Sequence, residues 1–178
     1  MKYTKVKNVK DPQRANPGDA GIDFFMPPIT DKLVMELRDK NQLSRYKILW
    51  DKTQYDHGQG NFERVIVLPA HERILIPSGI HVNLEPGTCM QAANKSGIAT
   101  KLGLDRLAEL VDESYQGEVH ISLVNTSNDV VLLYGGMKII QFVIYKYENC
   151  QPDLIPDMEY LYPEESQRGE GGFGSSGI

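Results

Sequence analysis

The chain is poor in cysteine, with only Cys89 and Cys150 among 178 residues. Two thiols could form one bridge at most, and their scarcity points to a reducing compartment in which both read as buried free thiols. Their positions in the sequence do not say whether they come within bonding reach. Histidine is equally sparse. His57, His71, His81 and His120 show no zinc-ligand spacing with one another or with the cysteines, which argues against a zinc site. No run approaches the ~18 apolar residues of a membrane span, and Met1-Lys2-Tyr3-Thr4-Lys5-Val6-Lys7 lacks the apolar stretch of a secretory signal. A cytoplasmic protein is expected, or a nuclear one in a eukaryotic or viral setting, with no membrane partner. Positive charge is short as well: 19 Lys+Arg against 24 Asp+Glu leave a net charge of −5. No overall field then draws the molecule to nucleic acid or anionic lipid, and any phosphate chemistry needs a local site.

What remains is an ordinary folding composition, 40% apolar and 24% charged, in a length that suits one core. Short alternating or β-branched runs dominate, at 64–68, 73–76, 80–84, 88–93, 118–124, 130–134 and 138–145. Between them lie Pro-Ala, Pro-Ser-Gly, Glu-Pro-Gly, Asn-Thr-Ser-Asn and Gly-Gly, residues that favour turns. This spacing predicts an all-β sandwich, jelly roll or barrel. One segment departs from it. Leu33, Val34 and Leu37 recur at helical spacing behind a Thr30/Asp31 cap, so a helix is expected over 30–40, at the start of an insertion spanning 27–63. Residues 1–150 then form one β domain. Residues 151–178 form an arm: three prolines and five carboxylates in 151–167 predict extended chain, followed by a glycine-rich end.

Five segments carry residues suited to phosphate and nucleoside chemistry. Pro17-Gly18-Asp19-Ala20-Gly21-Ile22-Asp23 sets an Asp in a tight bend. Asn94-Lys95-Ser96-Gly97 offers a cation, a hydroxyl and free amides ahead of a short helical stretch at 98–102. Val111-Asp112-Glu113-Ser114-Tyr115-Gln116-Gly117 gives a carboxylate suited to general-base work beside a ring. Gly136-Met137-Lys138-Ile139-Ile140-Gln141 turns into a strand with a polar residue among apolar ones. Finally, Arg168-Gly169-Glu170-Gly171-Gly172-Phe173-Gly174-Ser175-Ser176-Gly177 combines unobstructed amides, a guanidinium fork, hydroxyls and an aromatic cap. Each alone is equally well a solvated turn or a flexible tail.

Taken in order, these five segments resemble the five motifs of the trimeric deoxyuridine triphosphatases (dUTP pyrophosphatases), across nearly the whole chain apart from 27–63. The resemblance implies a distorted jelly-roll β-barrel and a homotrimer whose sites combine motifs from different subunits. It implies hydrolysis of dUTP to dUMP and pyrophosphate with Mg2+, limiting uracil in DNA and supplying dUMP for thymidylate synthesis. Asp112 would activate the attacking water. Tyr115 would pack under the deoxyribose and leave no room for a 2′-hydroxyl. Lys95, Ser96, Gly97, Gln141 and Arg168 would hold phosphates, and Gly174, Ser175 and Ser176 the terminal one. Phe173 would stack on uracil, and Asp23 would sit near the metal, acting through water.

Three departures stand out. Lys95 and Lys138 replace the usual Arg of motifs two and four, keeping charge but losing the fork. Glu109 falls where the family has Gly, in the hairpin that reads uracil, so it bears on the base accepted. Three alternatives follow: a pyrophosphatase of this fold with altered base choice, a dCTP deaminase, and a protein-binding role for 27–63 through Tyr46, Trp50 and Tyr55. The deaminase is disfavoured because Ser122 stands where that enzyme needs a Glu.

Overall fold

Antiparallel pairing of short strands organises the chain in the computed structural model, which describes residues 1–41, 47–49, 64–162, 164 and 166–171. Tyr46, Trp50, Tyr55, His57, Phe173, Gly174, Ser175 and Ser176 lie outside the described residues. Two units, Met1–Tyr147 and Glu148–Ile178, are each compact and are treated separately. In the first, the order is β1 (Lys2–Lys5), β2 (Ile22–Phe25), α1 (Asp31–Lys40), β3 (Lys47–Leu49), β4 (Val65–Leu68), β5 (Arg73–Asn83) and β6 (Thr88–Ala93). Then follow α2 (Ser96–Leu102), β7 (Leu104–Arg106), β8 (Leu110–Val111), β9 (Glu118–Asn125), β10 (Val131–Tyr134) and β11 (Lys138–Lys146). They form three sheets, ordered β1-β5-β9-β7, β10-β4-β3 and β2-β11-β6-β8. The mostly-β framework of jelly-roll type agrees with the sequence pattern.

Alternation sets what is buried. On β9, Val119, Ile121, Leu123 and Asn125 point inward, and on β10 Val131 and Leu133 do. They join Phe24, Ile76 and Phe142 in one core. On β6 the inward positions go to Met90 and Ala92, so Cys89 is only half-buried. Cys150 is exposed and both thiols are free. The expectation that both are buried is therefore corrected, by strand phase in the first case.

The Pro77-Ser78-Gly79 turn expected between two strands is instead a bulge within the single strand β5. Pairing with β9 steps from Pro77↔His120 to His81↔Glu118. Proline has no N–H to lose there, and Gly79 takes a φ of 81° while its amide donates to Glu118 Oε1 at 2.6 Å. Residues that make a turn in isolation make a bulge when both flanks have partners.

Helix α1 forms where the periodicity places it. Thr30 Oγ1 accepts from Leu33 N at 3.2 Å, and Leu33 and Leu37 are buried. Asn41 ends it: its Nδ2 donates to Leu37 O at 2.8 Å and Leu75 O at 2.9 Å, while Oδ1 accepts from Leu75 N at 2.7 Å. Residues 27–41 are thus built into the core through Ile29, Leu33 and Leu37.

In the second unit, the extended arm is broken by α3 (Met158–Leu161). Asp157, following Pro156, caps it by accepting from Glu159 N at 3.4 Å, a start signal that composition alone does not weigh. Among the described residues, no helix is long and apolar enough to cross a membrane.

Asn125 is fully buried and ties the β4–β5 turn to the β9–β10 loop. Its Nδ2 donates to Leu68, Pro69 and Asp129 carbonyls at 3.2, 3.0 and 2.7 Å, and Oδ1 accepts from Ser127 N and Oγ at 3.0 and 2.7 Å. Asn125→Ala strands those groups away from water and is expected to cost about 3 kcal/mol, read as a lower urea midpoint at unchanged slope.

Candidate active site

The turn between β10 and β11 is Gly135-Gly136. A Cβ on Gly135 would crowd Pro28 Cα at 3.1 Å, and Gly136 has a φ of 79°, a conformation that favours glycine. The register of β11 against β2 then shifts between Lys138 and Ile140. This irregularity lets Ile139 and Ile140 both be buried and brings Lys138 and Gln141, three residues apart, to one cleft. The cleft measures about 470 Å3, and Lys95, Ser96 and Gly97 line its other side. Ser96 and Gly97 open α2, where first-turn amides lack intrahelical partners.

Asp23 lies at the base of this arrangement, 2% exposed, because β2 pairs with β11 and sets it opposite Gln141. A buried carboxylate needs counter-charge. Lys95 Nζ pairs with Oδ1, and Lys138 Nζ lies 3.1 Å from Oδ2, which accepts no hydrogen bond among the described residues. One carboxylate thus orients two cations at the cleft.

Gln141 is positioned by contact and by hydrogen bond. Its Nε2 donates to Asn94 O at 2.8 Å, and a Cβ on Gly21 would fall 2.2 Å from its Oε1. Gly97, in contrast, has open space around it. Gly21→Ala is therefore expected to cost less than about 1 kcal/mol, because a flexible side-chain end can yield, yet to lower kcat/KM about tenfold by displacing the amide. Thermal melts alongside steady-state kinetics check this, with Gly97→Ala as a variant whose fold has nothing to displace.

The acidic turn is a separate feature. β8 pairs with β6 through Met90↔Val111 and Gln91↔Leu110, and Asp112 follows it, exposed, its carbonyl accepting from Tyr115 N at 3.1 Å. Glu113 Oε2 accepts from Gly87 N at 2.5 Å, tying the turn to the β5–β6 connection. Burial and then the Glu113 carboxylate push the Tyr147 hydroxyl above its ordinary range. Tyr115 lies over Gly117, where a Cβ would meet its hydroxyl oxygen at 2.3 Å, and donates to Glu118 O at 3.0 Å, leaving the ring 42% exposed.

Glu109 turns back on its own hairpin. Its carboxylate accepts from Gln91 Nε2 at 2.9 Å and pairs with Arg106 Nη2 at 3.1 Å, while its carbonyl accepts from Ala92 N. Asn94 extends the network by donating to Asp105 Oδ1 at 2.6 Å, which, ahead of the opposing effect of burial, holds the Asp105 carboxyl below its usual range.

The structure therefore brings Asp23, Lys95, Ser96, Gly97 and Gln141 together. Asp112, Tyr115 and Glu109 are not among the residues lining that cleft. Arg168 belongs to the second unit, where its Nε donates to Gly171 O at 2.7 Å. Sequence reasoning missed Gln91 and Arg106. It named Asn94 at the head of the Lys-Ser-Gly segment but not its contacts with Asp105 and Gln141, which lie 11 and 47 residues away and leave no local signal.

Known proteins resemble this chain in sequence and in fold. The dUTPase family model matches residues 62–177. A deoxyuridine 5′-triphosphate nucleotidohydrolase of Orientia tsutsugamushi (strain Boryong) is 36% identical over 115 residues, 64% of this chain and 74% of that protein. Among solved structures, the dUTPase of Staphylococcus bacteriophage 80alpha with dUPNHPP superposes with a TM-score of 0.67 at 19% identity, over 99% of this chain and 98% of that one. A variant dUTPase from phage phi11 of S. aureus, in which a structural Mg(II) ion is coordinated, gives 0.61 at 15% identity, over 89% and 97%. The match across about two thirds of the sequence, carried on this fold, means that the chain belongs to the dUTPase family.

Proposed function

We infer that the protein hydrolyses dUTP to dUMP and diphosphate. The observation that carries this reading is the cleft lined by Lys95, Ser96, Lys138 and Gln141, whose two lysines are held by the buried carboxylate of Asp23. In a chain of net charge −5, such a gathering supplies the local positive field a triphosphate needs. The same activity would limit uracil in DNA and supply dUMP for thymidylate synthesis.

In the proposed reaction, Asp112 accepts a proton from water as its oxygen attacks the α-phosphorus. The bond from that phosphorus to the bridging oxygen breaks, and diphosphate leaves with the electron pair. Tyr115 packs beneath the deoxyribose. Ser96 and Gln141 hold phosphate oxygens, Lys95 and Lys138 balance their charge, and Arg168, Gly174, Ser175 and Ser176 hold the distal end while Phe173 covers the base.

Asp112 and Tyr115 stand apart from the cleft lining, which supports a homotrimer in which one copy's acidic turn completes a neighbour's cleft. Mg2+ fits the donor set. No cluster of three or more His, Cys, Asp or Glu occurs among the described residues, and magnesium is often held by one carboxylate together with substrate phosphates and water. Asp23, acting through water, would hold it there. When bound, the ion neutralises triphosphate charge.

A second reading is altered base choice, because Glu109, held by Arg106 and Gln91, puts a side chain three residues ahead of Asp112 where the family has glycine. Diphosphate release measured with dUTP, dTTP, dCTP and a 5-substituted dUTP, with and without Mg2+, tests both. A kcat/KM for dUTP at least about 100-fold above the others supports the dUTP reading, and preference for another base replaces it.

A further inference from the structure

A second, larger cavity of about 610 Å3 adjoins the cleft, and Gly136 lines both. Its floor is apolar, formed by Val9, Met26 and Ile29, and Lys10 lies at its edge. The buried side chain of Val9 anchors the backbone that carries Lys10. The Lys10 ammonium stands 5.5 Å from the centroid of the Phe25 ring, with Lys138 Nζ 5.9 Å from the same centroid. A Cβ on Gly136 would lie 3.4 Å from Lys10 Nζ, so the ammonium rests against the turn that bounds the cleft.

Charge makes this arrangement informative. Lys95 and Lys138 share Asp23, whereas Lys10 has no carboxylate partner among the described residues. Two ammonium groups at one ring repel each other, and the ring's quadrupole offsets only part of that cost. The row Lys95, Lys138, Lys10 therefore carries more positive charge than its single acid balances, and an anion lying along it would relieve the repulsion.

We propose that Lys10 is a further substrate-binding residue, contacting the distal phosphates of the nucleotide where the cleft opens past Gly136 into the second cavity. The proposal rests on the dUTP reading for the identity of the substrate, but the chemistry recognised is that of a diphosphate. An ammonium is a compact donor suited to terminal phosphate oxygens, and it lies one lysine further along the row than the groups holding the carboxylate. The nucleoside monophosphate lacks the groups that would reach it.

The test compares wild type with Lys10→Met and Lys10→Arg in the full chain. Losing one charge-assisted contact is expected to raise KM for dUTP and the inhibition constant of inorganic diphosphate about tenfold, with kcat changed less than about threefold. Inhibition by dUMP should stay within about twofold of wild type, and Arg should restore most of the diphosphate affinity. Unchanged diphosphate affinity in Lys10→Met overturns the proposal. So does an equal loss for dUMP and diphosphate, which marks damage to the fold. If wild type binds diphosphate but does not hydrolyse dUTP, the substrate reading fails while the diphosphate titration still decides the role of Lys10.

Discussion

Asn in place of Asp112 is expected to lower kcat for dUTP hydrolysis by about a thousandfold, the upper-middle range for removing a general base. The amide keeps the shape of the carboxylate but cannot take a proton from water. The fold has little reason to respond. Asp112 is exposed, and the hydrogen bond it accepts from Tyr115 N is made by its backbone carbonyl, which the substitution retains. The turn is further tied down by Glu113 on the Gly87 amide. Stability should therefore stay within about 0.5 kcal/mol, and dUTP affinity, measured by competition, within a few-fold. A variant retaining a tenth of wild-type kcat would transfer the base role to another group, with the nearby Glu113 the first to examine. A variant that loses kcat and stability together would mean that the side chain supports the turn rather than the chemistry.

Much of this was legible in the sequence, for reasons that particular residues make plain. Alternation on β9 and β10, and the 3–4 spacing of Leu33, Val34 and Leu37, are local patterns whose physical cause is local, so they predict their own elements. The Thr30 cap reads the same way. The Pro77-Ser78-Gly79 bulge did not, because whether that tripeptide turns or bulges depends on β9 pairing on both sides of it, forty residues away. At the site, Lys95, Ser96 and Gln141 were found as members of ordered motifs. Their mutual placement was not: the ion pairs of Asp23 with Lys95 and Lys138 span 72 and 115 positions, and the contact of Glu109 with Gln91 depends on the register of β8 against β6. Sequence marked Glu109 as bearing on the base accepted, but not its contacts with Arg106, three residues before it, and with Gln91 on β6.

Asp23 yields the second large effect, and its signs are opposed. Asp23→Asn removes the charge that holds Lys95 and Lys138, whose ammonium groups then face a neutral amide. A fully buried broken pair costs 3–5 kcal/mol, but Lys138 is 41% exposed and Lys95 22%, so solvation recovers part of it and about 2 kcal/mol is expected. The released lysines should strengthen metal-free binding of diphosphate, by about fivefold, since the cleft gains one net positive charge. The Mg2+-stimulated rate should fall about 100-fold or more, because the carboxylate that would hold the ion through water has gone. Diphosphate titration without magnesium, set beside the rate as a function of magnesium, separates the two. If both binding and rate fall, Asp23 serves chiefly to fold the cleft. If binding tightens while the rate collapses, the same carboxylate restrains two cations and engages the metal, and its burial between the lysines is part of how the cleft keeps a triphosphate from binding without its ion.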